Sequence, residues 1–485
     1  MTLQSYIITD ILRILNNIAK YYEVRQYCNF ITDISLVCSE WYKKIIPKIK
    51  EYHLSIEYRD ILNGFKSFQR KNGFRISGSL VGGPSNTDLY PYIEVLILTN
   101  NEDIIWWLNY EQYPKEKLLQ TFPNLHKVIV DCYSSNVALY NLKNITHLRL
   151  NLTGIAEIPN IVQLLQITPQ LKTFNLISSG GQDITKIAEV VLTKGSLRKL
   201  DFINGRLKQS TLVNGLNSNT TLKSLNVGCF LESENEIDEI PINNQSLRKI
   251  TMEGYNNYYS IFSLWNRPSG LQEWKYHEEF EATPQLILDF HPNLTCIECT
   301  HETTEIDKIL EMNLPKLKSL RYIDLFNMHN SNYSLVIKGL RTNQYIKTMS
   351  FNSRVEHKEA CTIIDINHPT LESLSFIEIT AMVFQQITES LKSNTTLKEF
   401  RINQNSDFQN SQMYIPLLCD LISSNHRLSS IHTTQHCVLR YRITNQDIEL
   451  FRNVIKDNFH HLISLTVGVF QLDSIIQQYL IRMNN

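Results

Sequence analysis

The chain has 485 residues, 42% of them apolar and 20% charged, and a net charge of −1. That balance belongs to a folded chain rather than a disordered one, and the length calls for several domains or one elongated array. The near-neutral charge excludes a global basic field for nucleic acid, and no apolar run is long enough to span a membrane.

The N-terminus, MTLQSYIITDILRILNN, carries Asp10 and Arg13 inside its apolar stretch, with no basic run before it. This argues against a secretory signal and for a cytoplasmic or nuclear protein. The nine cysteines are odd in number and scattered, which fits a reducing compartment. Sequons at Asn144, Asn219 and Asn394 read as chance in an Asn-rich chain.

In chain order, residues 8–18 (ITDILRILNNI) place Ile8, Ile11, Leu12, Leu15 and Ile18 on one helical stripe. A second pattern over 34–46 (ISLVCSEWYKKII) adds Leu36, Val37, Trp41, Ile45 and Ile46 before Pro47 closes it. Together they make a small helical module over residues 1–50.

The string L-V-C-x-x-W-x-x-x-I from Leu36 to Ile45 resembles the F-box, and I-L-x-x-I at Ile14–Ile18 is similar to the end of its first helix. The resemblance implies docking onto a SKP-family adaptor on a cullin scaffold, with Ile7, Ile11, Leu36, Val37 and Trp41 as the adaptor-binding residues. The other reading is that these five pack the module internally, since large aromatics dominate small cores. Tyr6-Ile7 stands where an F-box has Leu-Pro.

Residues 51–90 read as a linker or first capping segment. GSLVGG at 78–83 lacks the G-K-[ST] ending of a phosphate loop, so its glycines read as linker.

From there the pattern L-x-x-L-x-L recurs. Clear copies begin at Ile145, Leu171, Leu197, Leu222, Leu247, Leu271, Leu294, Leu317, Ile346, Leu371 and Leu397, with looser ones at Tyr92, Leu125, Leu428 and Leu462. From Ile145 to Leu317 the spacings are 26, 26, 25, 25, 24, 23 and 23. Positions 1, 4 and 6 are the expected core, with 3 and 5 pointing out. Helical spacing falls between hexamers at 183–195, 304–313, 382–394 and 447–458. The hexamer and its period resemble the leucine-rich repeat. That implies an α/β solenoid over residues 91–485, a horseshoe with parallel strands concave and helices convex, preceded by the F-box-like module. The recurring "SNTTLK" (Ser218–Lys223 and Ser393–Lys398) reads as the corner from helix to strand, where Asn tolerates left-handed angles and Gly195 does the same one repeat earlier.

No catalytic residue, metal or cofactor is expected. Cys296 and Cys299 form a C-x-x-C near His291 and His301, but positions 3 and 6 put the thiols on opposite faces. His432 and His436 follow a strand hexamer and lack the Glu of a zinc helix, so they read as surface histidines. ESENEIDE at 232–239 reads as a solvated loop.

Substrate recognition is expected at positions 3 and 5, with Arg149, Asp201, Lys275, Glu298, Arg321 and Arg401 as candidates for holding a protein substrate. Position 2 carries Lys172, Arg198, Lys223, Arg248, Lys318, Lys347 and Lys398. Such a column reads either acidic or phosphorylated substrates or is simply a solvated edge, the second being favoured. Two functions therefore stand side by side. One is a substrate adaptor of a cullin-type ubiquitin ligase. The other is a repeat scaffold or signalling regulator whose head is only a cap.

Overall fold

The hexamer sets the fold through one alternation. Positions 4 and 6 of an extended segment face one side, and an apolar pair there needs cover. In the computed structural model the cover comes from helices between successive strands. Residues 126–130, 144–152, 158–179, 181–232, 240–252, 264–276, 284–300, 305–323, 333–355, 357–378, 381–403, 414–434, 443–466, 472 and 475–476 are described, together with three strands nearer the N-terminus.

The chain divides into two compact units, Met1–Ile240 and Pro241–Asn485. The first contains β1 (Tyr52–Ile56), β2 (Ile76–Leu80), β3 (Ile93–Leu98), β4 (Lys127–Val130), β5 (His147–Leu152), β6 (Thr173–Ser178), β7 (Lys199–Lys208) and β8 (Ser224–Glu232). These pair in chain order, all parallel. Between the later ones lie α1 (Ile158–Gln166), α2 (Thr185–Leu192) and α3 (Gln209–Ser218).

The second unit contains β9 (Lys249–Met252), β10 (Glu273–Tyr276), β11 (Cys296–Thr300), β12 (Ser319–Ile323), β13 (Thr348–Arg354), β14 (Ser373–Glu378), β15 (Glu399–Asn403), β16 (Ser430–Thr434) and β17 (Ser464–Thr466). They too pair in parallel and in chain order. Its helices are α4 (Pro284–Phe290), α5 (Ile306–Glu311), α6 (Tyr333–Thr342), α7 (His357–Asp365), α8 (Ala381–Ser393), α9 (Tyr414–Ser424) and α10 (Asn445–Asn458). The four stretches expected as helices are α2, α5, α8 and α10.

Hexamer positions 1, 4 and 6 form the core. Leu171, Phe174 and Leu176 are fully buried, as are Leu197, Leu200 and Phe202 and, in the second unit, Leu397, Phe400 and Ile402. Each such side chain contributes about 1.5–3 kcal/mol by leaving water. Met252, at position 6, is only half-buried. Helices approach closely where a side chain is missing: a Cβ on Gly215 of α3 would lie 2.4 Å from the Leu192 side chain of α2.

The boundary between the two units, at Ile240 and Pro241, falls inside the array expected over 91–485. Within the 51–90 stretch, expected as a linker or first capping segment, β1 and β2 pair in register and β2 pairs onward with β3. Residues 78–80, the start of GSLVGG, belong to β2. The helical module over 1–50 lies outside the described residues. Among the described residues, no helix is long and apolar enough to cross a membrane.

The corner asparagines do a different job from the one expected. Asn219 is extended (φ −91°, ψ 106°), and Gly195 does not adopt a positive φ. The Asn219 side chain is buried and bridges two repeats. Its Nδ2 donates to the carbonyls of Leu192 and Lys194 at 2.7 and 3.1 Å, while its Oδ1 accepts from the N–H groups of Thr221 and Leu222 at 3.0 and 2.9 Å. Leu192 ends α2, so the amide caps a carbonyl that has no partner within its helix. Left-handed backbone occurs instead at Asn204, Asn313 and Asn367.

Candidate protein-binding face

Parallel pairing carries hexamer position 5 from strand to strand in a straight row. In the first unit the row runs Arg149, Asn175, Asp201, Asn226. In the second it runs Thr251, Lys275, Glu298, Arg321, Ser350, Ser375, Arg401, His432, Thr466. All six candidate recognition residues therefore lie on these rows, four of them within the second unit.

Three candidates form one ion cluster. Lys275 Nζ lies 2.7 Å and Arg321 Nη1 3.4 Å from the same Glu298 Oε2. Glu298 is 4% exposed, whereas the Arg321 side chain is 46% exposed. A buried carboxylate is tolerable only when paired, and here adjacent repeats supply a cation from either side. Glu298 thus sits on the outward row yet is covered; it positions its two neighbours rather than meeting solvent.

Asp201 behaves alike. It is 4% exposed, accepts from Asn175 Nδ2 at 3.2 Å and pairs with Lys199 Nζ at 2.9 Å. Arg149 is half-buried two strands away. Arg401 is exposed, and its Nε donates to Glu399 Oε1 at 2.7 Å. Ser373 Oγ donates to the other oxygen of Glu399 at 2.6 Å. Burial pushes the Glu399 carboxyl up, but the hydrogen bonds from Ser373 and Arg401 outweigh it and hold it below the usual carboxylate range. Burial, with the Arg401 charge, pushes His432 down, so its ring faces Glu399 at 3.7 Å as a neutral imidazole near pH 7.

The arrangement is a preorganised polar surface, with guanidinium and ammonium groups held by carboxylates of neighbouring repeats. Pairing within the row was readable in principle, because Lys275, Glu298 and Arg321 alternate in sign at one hexamer position in consecutive repeats. Of the C-x-x-C pair, Cys296 is buried at 8% exposure, and that burial raises its thiol pKa despite a hydrogen bond with Ser319. The side chains of Cys299, His301 and His436 lie outside the described residues, as does 233–239. Among the described residues, no three His, Cys, Asp or Glu side chains are grouped to hold a metal. The adaptor-binding candidates Ile7, Ile11, Leu36, Val37 and Trp41 also lie outside the described residues.

The Glu298 cluster gives a testable result. Glu298→Gln leaves Lys275 and Arg321 facing a neutral amide, and because both cations keep partial access to water the cost is about 1–2 kcal/mol. A lower urea midpoint is expected; an unchanged one would show that the cluster does not hold the row.

No family model matches the sequence, and no curated protein matches it. Solved structures give likenesses. Actin-binding site 2 of leiomodin-1 is 17% identical over 37% of this chain and 95% of that one, with a TM-score of 0.26. The tropomodulin C-terminal domain of Caenorhabditis elegans is 15% identical over 32% and 91%, also at 0.26. The leucine-rich repeat-containing protein LegL7 of Legionella pneumophila is 10% identical over 71% and 96%, at 0.31. The fold described above stands on the register of the chain's own strands.

Proposed function

We propose that this chain is a non-catalytic leucine-rich-repeat receptor that holds a protein partner on its position-5 rows and delivers it to a cullin-type ubiquitin ligase through an F-box-like head. The observation that carries the binding half is the in-register row from Thr251 to Thr466, polar along its length and anchored by the Lys275–Glu298–Arg321 cluster. Rows of ordered side chains across many strands suit a protein surface, where a few anchors dominate the binding energy. Arg149, Lys275, Arg321 and Arg401 are the proposed contacts, with Asp201 and Glu298 holding them.

The ligase half is carried by the string from Leu36 to Ile45. In this reading Ile7, Ile11, Leu36, Val37 and Trp41 meet a SKP-family adaptor. A plain scaffold without ligase role is the second reading, favoured by Tyr6-Ile7 in place of Leu-Pro.

Affinity capture of the tagged full-length chain, read by mass spectrometry for SKP and cullin subunits, tests the proposal. Both are expected with wild type and lost together in Ile11→Asp/Leu36→Asp, while the repeats of that variant melt as in wild type. Absence of binding to purified SKP adaptor at tens of micromolar, about −6 kcal/mol, leaves the scaffold reading in its place.

A further inference from the structure

The edge where strands begin carries the position-2 residues, and the two units treat that edge differently. In the first unit the Arg198 N–H donates to the Lys172 carbonyl at 2.7 Å and the Lys223 N–H to the Arg198 carbonyl at 2.8 Å, so these three cations stand in adjacent layers. All three side chains are exposed. The corner segments 166–173, 193–199 and 217–224 also bring Lys194 and Lys199, and they contain no Asp or Glu. Lys199 is paired with Asp201, whereas Lys172, Lys194, Arg198 and Lys223 have no carboxylate partner among the described residues. Arg198 donates to the Thr221 carbonyl, which fixes the guanidinium without neutralising it.

The second unit offsets part of its charge at the equivalent position, where Arg248, Lys318, Lys347 and Lys398 stand with one carboxylate. Glu372, itself at position 2, lies 3.6 Å from Lys347 Nζ and 3.1 Å from Lys398 Nζ. The Lys398 hydrogen bond holds the Glu372 carboxyl below its ordinary range. Lys318 Nζ rests 4.8 Å from the centre of the Tyr345 ring.

We propose that Lys172, Arg198 and Lys223, backed by Lys194, form a docking edge for an acidic, carboxylate-rich segment of a partner protein. The inference rests on the protein-binding reading above and adds a site and a partner chemistry to it. With layers about 4.8 Å apart the three cations span roughly 10 Å, and an extended segment presents same-side carboxylates about every 6.8 Å. Two carboxylates therefore meet three cations. A nucleic-acid backbone is the poorer occupant, because tight phosphate tracking uses about 6–10 contacts and the whole chain has a net charge of −1.

The test is fluorescence anisotropy of a short labelled peptide of alternating Glu and Ser, titrated with the full chain at low salt. Saturable binding that weakens as salt rises is expected. Lys172→Ala/Arg198→Ala/Lys223→Ala should weaken it at least about tenfold, and Lys318→Ala/Lys347→Ala/Lys398→Ala less than about threefold. A melt of each variant checks folding. The proposal is overturned by absence of saturable binding, by equal losses in the two triple variants, or by a thymidine oligomer of matched charge binding as tightly at the same residues. The adaptor capture does not depend on these lysines, so a failed peptide titration beside a successful capture sinks this inference alone.

Discussion

Leu225→Asp is expected to abolish the cooperative unfolding transition of the first unit. Leu225 is 0% exposed on β8, opposite Leu200 of β7, with Leu222 and Val227 buried on either side of it in the same hexamer. A carboxylate there is cut off from water at a core position, and an uncompensated buried charge costs about 4 kcal/mol or more. A whole domain holds only about 5–15 kcal/mol. Stacked repeats support one another through nearest neighbours, so the loss passes from β8 to β7 and β6 rather than staying at one strand. Leu225→Ala, which leaves a cavity but no charge, is expected to cost about 2–5 kcal/mol and keep a transition at lower temperature. Circular-dichroism melts distinguish the two. An aspartate variant melting within ~2 °C of wild type, a shift worth only about 1 kcal/mol in a unit of this size, would show that position 4 is not core.

The core was legible because its signal is local. Apolar residues at 1, 4 and 6 name the strand and its buried side within six residues, and the period names the stacking. What depended on a partner some twenty-five residues away was harder to see. Asn219 looked like a residue chosen for its backbone freedom, yet its role is to reach Leu192 and Lys194 in the preceding repeat. Glu298 looked like a solvent-facing recognition residue until the layers on either side brought Lys275 and Arg321 to it. The position-2 column was read as uniformly basic because its cations were collected and Glu372 was passed over, although it occupies the same hexamer position. Strands β1 and β2 escaped notice because YHLSI and ISGSL lack the leucine spelling, so nothing short of pairing reveals them.

The corner asparagines give the second large effect. Asn394 is 5% exposed; its Nδ2 donates to the Ile364 carbonyl at 2.8 Å, and its Oδ1 accepts from the N–H groups of Thr396 and Leu397 at 3.1 and 2.9 Å. Ile364 lies in the last turn of α7, where carbonyls have no partner inside the helix. Asn343 does the same for Leu310 of α5, and Asn425 for Leu391 of α8. Asn394→Ala strands two N–H groups and leaves the Ile364 carbonyl with the Asn367 N–H alone, at 3.0 Å, and since an unsatisfied buried group costs about 1–3 kcal/mol, a loss of about 2–4 kcal/mol is expected after water has reached part of the gap. Asn394→Asp keeps the acceptor but turns a negative oxygen toward the Ile364 carbonyl, so it should be no better than alanine at neutral pH. The chain itself suggests the rescue. Three residues before Leu371, where other repeats have Asn, stands buried His368, whose Nε2 donates to the Asn343 carbonyl at 2.8 Å while Nδ1 accepts from the Thr370 N–H at 3.3 Å. A neutral imidazole thus offers one donor to the corner of the preceding repeat and one acceptor to its own turn, and burial keeps it neutral by lowering its pKa. Asn394→His should therefore recover part of the urea midpoint lost in Asn394→Ala. A histidine variant no more stable than alanine, beside an alanine variant equal to wild type, would show that the bridge between repeats carries no stability.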